Sequence, residues 1–158
     1  MVVRSLQFAA IVLSALALVP SGAHLAALPN KIDLAQTDYF IVQNVYSGWA
    51  MFGAVWFAAL AANVALAIGV RAEPAPFRLA TGAALCFVAM FAIFFMWTLP
   101  ANQATANWTA LPEHWRTLRR DWEFSHAVNA VIAFCALCLC VLSTTMWRRP
   151  AGKGTQAT

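Results

Sequence analysis

Arg119, Glu123 and His126 stand at positions i, i+4 and i+7 near the start of the last apolar stretch, and Asn129 follows three residues later. In a helix these side chains fall along one face. An imidazole, a carboxylate and a guanidinium on one face can remove a proton and hold the negative charge that results. Histidine suits the base, because its ordinary pKa lies near neutrality. The same residues also suit an interfacial ion-pair ladder, and both readings stay open at this point. His24 lies about one turn before Pro29 and is the second candidate.

The elements that carry these residues are apolar. The chain has 158 residues, 62% hydrophobic and only 10% charged, with mean hydropathy +0.69. Soluble domains carry roughly a quarter charged residues. Four stretches, 6–28, 49–70, 77–100 and 124–147, reach the ~20 residues that an α-helix needs to cross the hydrocarbon core. The expected fold is all-α, a single membrane domain built as a four-transmembrane-helix bundle. The first span runs outward and the fourth inward, so His24 and His126 should share one depth. Ionisable groups in spans are rare and usually face a bundle interior or cavity.

The connections differ. Residues 71–76 form a short turn, whereas 29–48 has room for a short outer helix from Thr37-Asp38 to Val45. In the second long connection Pro112 and Glu113 suit a first helical turn. From there Trp115, Leu118 and Trp122 form one apolar face of an amphipathic extension that leads into the fourth span. The residues from 148 on form a flexible tail.

Six of the ten Lys and Arg residues (Arg4, Arg71, Arg78, Arg148, Arg149 and Lys153) lie at the termini or in the short turn. The other four, Lys31, Arg116, Arg119 and Arg120, lie in the long connections, so both termini are expected to be cytoplasmic. A bacterial inner membrane is the expected location. The net charge of +4 is scattered over helix ends and points to lipid rather than nucleic acid. Residues 4–23 have the outline of a signal peptide, but apolar character resumes through Leu28, so an uncleaved helix is expected.

Cys86, Cys135, Cys138 and Cys140 all fall inside apolar stretches. Cys135 and Cys138 match a CxxC spacing, yet mid-membrane placement favours packing over thiolate, disulfide or zinc chemistry. Trp49, Trp97, Trp108, Trp115, Trp122 and Trp147 suit interfacial belts. Phe87, Phe91, Phe94 and Phe95 suit either lipid contact or an apolar cavity. Gly53, Ala54, Ala58 and Ala62 read as a stripe for close helix packing, within the chain or with a partner, including a second copy.

In their order these features resemble a family of small four-helix membrane proteins related to anthrone oxygenases. The resemblance covers residues 6–147. It rests on His24 with Leu28-Pro29-Asn30, on Pro100-Ala101-Asn102, and on Trp115-Arg116, Arg119, Trp122-Glu123 and His126. Where the family pattern has an Arg three residues after that His, this chain has Asn129. The resemblance implies oxygenation of a flat phenolic substrate without metal, flavin or other cofactor. His126, Glu123 and Arg119 would be catalytic, and His24, Asn30, Asn102, Trp122 and Asn129 would bind substrate. Two alternatives belong to other classes. His24 and His126 could ligate a haem in an electron-transfer subunit, or the chain could be a non-enzymatic membrane partner.

Overall fold

The computed structural model describes residues 1–148; Arg149, Lys153 and the rest of the expected tail lie outside the described residues. The chain is all-α, with no strand among the described residues. Helix α1 spans Val2–Lys31, α2 Gln36–Gln43, α3 Phe52–Gly69, α4 Pro74–Ile93, α5 Leu99–Ala104 and α6 Trp115–Met146. A 3-10 turn, Trp49–Met51, leads into α3, and a π-helical segment, Phe94–Thr98, joins α4 to α5 without a break. Four continuous helical runs are long and apolar enough to cross a membrane: Val2–Lys31, Trp49–Gly69, Pro74–Ala104 and Trp115–Met146.

The four runs form a ring in which α1 packs on α3 and α6, and α4 packs on the same two. Small residues allow the approach. Ala10 and Ala17 on α1, Ala59 on α3, Ala80 and Ala83 on α4, and Ala133 and Ala136 on α6 are all fully buried. Lipid tails are as apolar as leucine, so such helices associate through close packing and interhelical hydrogen bonds. Asn63 Nδ2 donates to Ser14 Oγ at 3.0 Å between α3 and α1. The buried face of α1 reads Ala10, Ser14, Ala17, Ser21, His24, a steady 3–4 spacing that carries His24 to the interior.

Several expected boundaries shift. Pro29 does not end the first helix, which continues to Lys31 with Ile32 N–H donating to the Leu28 carbonyl at 3.0 Å. Proline removes only its own N–H and clashes with the carbonyl four residues back, so it can kink a helix without stopping it. Pro100 behaves likewise. Its i−4 carbonyl belongs to Met96, inside the π-helical segment, and the wider turn makes room for the ring. Helix α6 begins at Trp115, three residues after Pro112, which instead closes a turn through the Trp115 N–H. Helix α2 starts at Gln36 with Ala35 as N-cap and no side-chain cap from Thr37 or Asp38.

The expected packing stripe on the second span divides, with Ala62 against the core and Ala58 half-buried. The buried face of α3 is Trp56, Ala59, Asn63, Leu66 and Ala67. Ala54 is exposed, and a side chain built at Gly53 would meet nothing within 4 Å. Phe87 is fully buried in the core, whereas Phe91, Phe94 and Phe95 border a cavity.

Candidate functional site

The two long connections lie at the same end of the bundle, and below them the helices enclose a cavity of about 600 Å³. Ligand pockets generally span ~300–1,000 Å³. Pro20, Ser21 and His24 enter it from α1, Gly53 and Trp56 from α3, Phe94 and Thr98 from the π-helical segment, and Trp122 and His126 from α6. Pro20 removes one helical donor, and close by Trp56 Nε1 donates to the Ala17 carbonyl at 3.3 Å.

His24 and His126 meet at this cavity. Their ring centres are 4.1 Å apart and the planes differ by 27°, a stacked pair. Trp122 stands edge-on to both, 4.8 Å from His24 and 4.4 Å from His126, and Tyr46 lies 4.2 Å from His24. The Nδ1 atoms of both histidines are buried without a hydrogen-bond partner, as are Ser21 Oγ and both amide atoms of Gln43, and all four residues line the cavity. Buried polar groups are normally satisfied, so these atoms carry a desolvation cost within the wall of the cavity. Two imidazolium rings at this separation would repel, so the pair accommodates at least one neutral imidazole.

The charged residues form a separate layer. Glu123 does not orient His126: its Oε1 lies 3.0 Å from Lys31 Nζ and accepts the Tyr39 hydroxyl at 2.9 Å. The side chains of this ion pair are 4% and 0% exposed. Lys31 Nζ also stands 4.5 Å from the centre of the Tyr46 ring and 5.2 Å from that of Trp122. Tyr46 and Trp122 line the cavity, while Lys31 and Glu123 do not, so an aromatic wall divides the ions from the cavity. Arg119 is also outside it. Its Nη1 donates to the Leu34 carbonyl at 2.8 Å, and its guanidinium covers Tyr39 and Trp115 at 5.2 and 4.9 Å. Burial, and next the Glu123 carboxylate, hold the Tyr39 phenol well above its ordinary range. It therefore remains a donor.

The other expected site residues divide. Trp122 and Asn102 both line the cavity and are joined, Trp122 Nε1 donating to Asn102 Oδ1 at 2.8 Å. Asn129 is fully buried but does not line the cavity; its Nδ2 donates to the Met90 carbonyl at 3.4 Å, tying α6 to α4. Asn30 is exposed at the end of α1 and does not line the cavity. No group of three His, Cys, Asp or Glu side chains among the described residues is arranged to hold a metal ion.

The second long connection is fixed by strained backbone. Ala106, Asn107 and Trp108 have φ of 47°, 56° and 65°, a left-handed run that non-glycine residues adopt at a cost of about 1–3 kcal/mol each. Asn107 N–H donates to the Asn102 carbonyl at 2.7 Å, and Trp108 N–H to Thr105 Oγ1 at 3.1 Å. The turn drives the Trp108 ring inward against Tyr39 and Trp122.

Lys31, Tyr39, Gln43 and Tyr46 were not among the expected site residues. Lys31 was legible, since it follows His24 by seven residues and so shares its helix face. Tyr39, Gln43 and Tyr46 gave no such signal, because α2 returns over the bundle only through tertiary packing. Compared with protein-family models, curated proteins and solved structures, the chain matches none.

Proposed function

We propose that this is a cell-membrane protein with both termini cytoplasmic, and that its cavity binds a flat phenolic or anthrone-like substrate for cofactor-independent oxygenation. The observation that carries this reading is the stacked His24–His126 pair on an aromatic-walled cavity of about 600 Å³. Aromatic side chains offer faces and edges to a planar ligand. His126 is the base. Removal of an acidic proton from an anthrone-like methylene leaves a carbanion that passes an electron to molecular oxygen. The carbon radical and superoxide so formed combine to a peroxide, which takes the proton back from the base. The second methylene hydrogen is lost as the peroxide breaks down, leaving one oxygen atom as a carbonyl and the other as water. Gln43, which lines the cavity, offers a hydrogen bond to the substrate oxygen.

Arg119 and Glu123 support this site indirectly, by fixing the layer above it, and are not assigned a place on the substrate. The haem alternative has less support: the two rings present faces to each other rather than nitrogens to a common iron. The test is oxygen uptake by the purified protein with a panel of anthrones and phenols. His126→Ala should lower the rate on the order of a hundred- to ten-thousand-fold, whereas His24→Ala should weaken binding and leave turnover. Uptake unchanged in His126→Ala would remove the base assignment. A haem absorption band lost in both variants, with no uptake by any substrate, would replace the oxygenase reading.

A further inference from the structure

The cavity is polar at one end only. His24, Gln43, Asn44 and Ser47 line the end beneath the loops. The opposite wall is made by Phe57, Phe91 and Phe95, which have no hydrogen-bonding side-chain group. Phe57 and Phe91 meet across α3 and the third span with ring centres 4.4 Å apart, and Phe95 continues the row 6.5 Å from Phe91. Phe57 and Phe95 are 59% and 56% exposed, and both line the cavity. The seam between α3 and the third span is thus where the cavity can open to the side of the bundle.

We infer that the ligand is an amphiphile dissolved in the membrane, a planar phenol or hydroquinone head seated at the histidines with an alkyl chain leaving through the phenylalanine seam. This rests on the reading of the cavity as a phenol site and adds the direction of entry and the ligand's second part. The hydroxyl of the head takes the polar side of the cavity, by His24 and Gln43. The chain passes from phenylalanine rings to lipid tails and needs no polar partner along the way. A head without a chain would fill the polar end and leave the seam to a lipid.

The experiment uses the full chain in lipid nanodiscs with a dodecyl hydroquinone that carries a diazirine at the chain end. After illumination, labelled residues are read by peptide mass spectrometry. Labelling at Phe57, Phe91 or Phe95 that is lost with excess unreactive dodecyl hydroquinone is the expected result. Labelling spread over other lipid-facing residues such as Phe8 and Phe134, and not displaced, overturns the inference. So does labelling confined to 44–48 and 107–109, which would send the chain to water. Oxygen uptake with a tailless phenol and no displaceable seam label defeats the inference alone. Displaceable seam labelling with no uptake by any substrate defeats the oxygenase reading and leaves the ligand class standing.

Discussion

Glu123 Oε1 lies 3.0 Å from Lys31 Nζ, and this contact joins the last turn of α1 to the third turn of α6. The same oxygen holds Tyr39, so one carboxylate fastens three segments over the cavity. Both charged side chains are almost fully buried. Removing one partner of such a pair leaves the other uncompensated and typically costs 3–5 kcal/mol, so Lys31→Met and Glu123→Gln should each destabilise by about that amount. Lys31→Met with Glu123→Leu should lose much less than the sum of the single changes. Thermal unfolding in detergent measures both. Small additive losses would mean that the pair contributes nothing net.

Tyr39 gives the layer an alkaline limit. Its phenol is held above the ordinary range by burial and by Glu123, so the folded chain keeps a proton that the unfolded chain releases first. Its contribution to stability is present below the unfolded phenol pKa of about 10 and is lost as pH rises beyond it. Tyr39→Phe should weaken the fold at neutral pH by about 1–3 kcal/mol, since the carboxylate loses a buried donor. It should also flatten the fall in melting temperature above that pH. An alkaline limb as steep as that of the parent would assign the effect to another group.

Gly53 separates two accounts of α3. If the stripe Gly53, Ala54, Ala58, Ala62 packed against a neighbour, Gly53→Leu would disrupt folding. Because its side-chain position opens into the cavity, Gly53→Leu should instead fold normally and block ligand. Tryptophan fluorescence should then lose its response to an added phenol while the protein stays monodisperse. Leu60→Ala, on the partly buried edge of the core, serves as the comparison for folding. Aggregation of the Gly53 variant alone would restore the packing account.

Orientation is tested independently of the site. A reporter active only in the cytoplasm, fused after Gly154, should be active, and a periplasmic reporter at the same place should be silent. The opposite pattern would invert the bundle and put the cavity on the cytoplasmic side.

The bundle was legible because span length and apolar composition are local properties. His24 and His126 could be paired from depth alone, since consecutive spans alternate in direction. Helix periodicity placed Glu123 on the side of His126, but it could not say what would reach Glu123 first. Lys31 does so because the helix passes Pro29, and Tyr39 because α2 folds back over the bundle. Both depend on where the chain goes after a proline or a loop. The ambiguity of Gly53 has a related cause. A small residue admits either a neighbouring helix or an empty space, and only the positions of the other helices distinguish them.

The π-helical segment Phe94–Thr98 acts as an indexing step in the third span. Each α-helical residue turns the chain by about 100°, and a π turn absorbs one residue more than an α turn. Everything downstream is therefore rotated relative to a straight helix of the same sequence. With that offset Thr98 meets Ser125 at 2.7 Å, and Asn102 meets Trp122. An uninterrupted α-helix would swing both toward different neighbours and leave the Trp122 indole, which backs the histidine pair, without its acceptor. The aim of the wall over the cavity is thus set by the pitch of a single turn in a different helix.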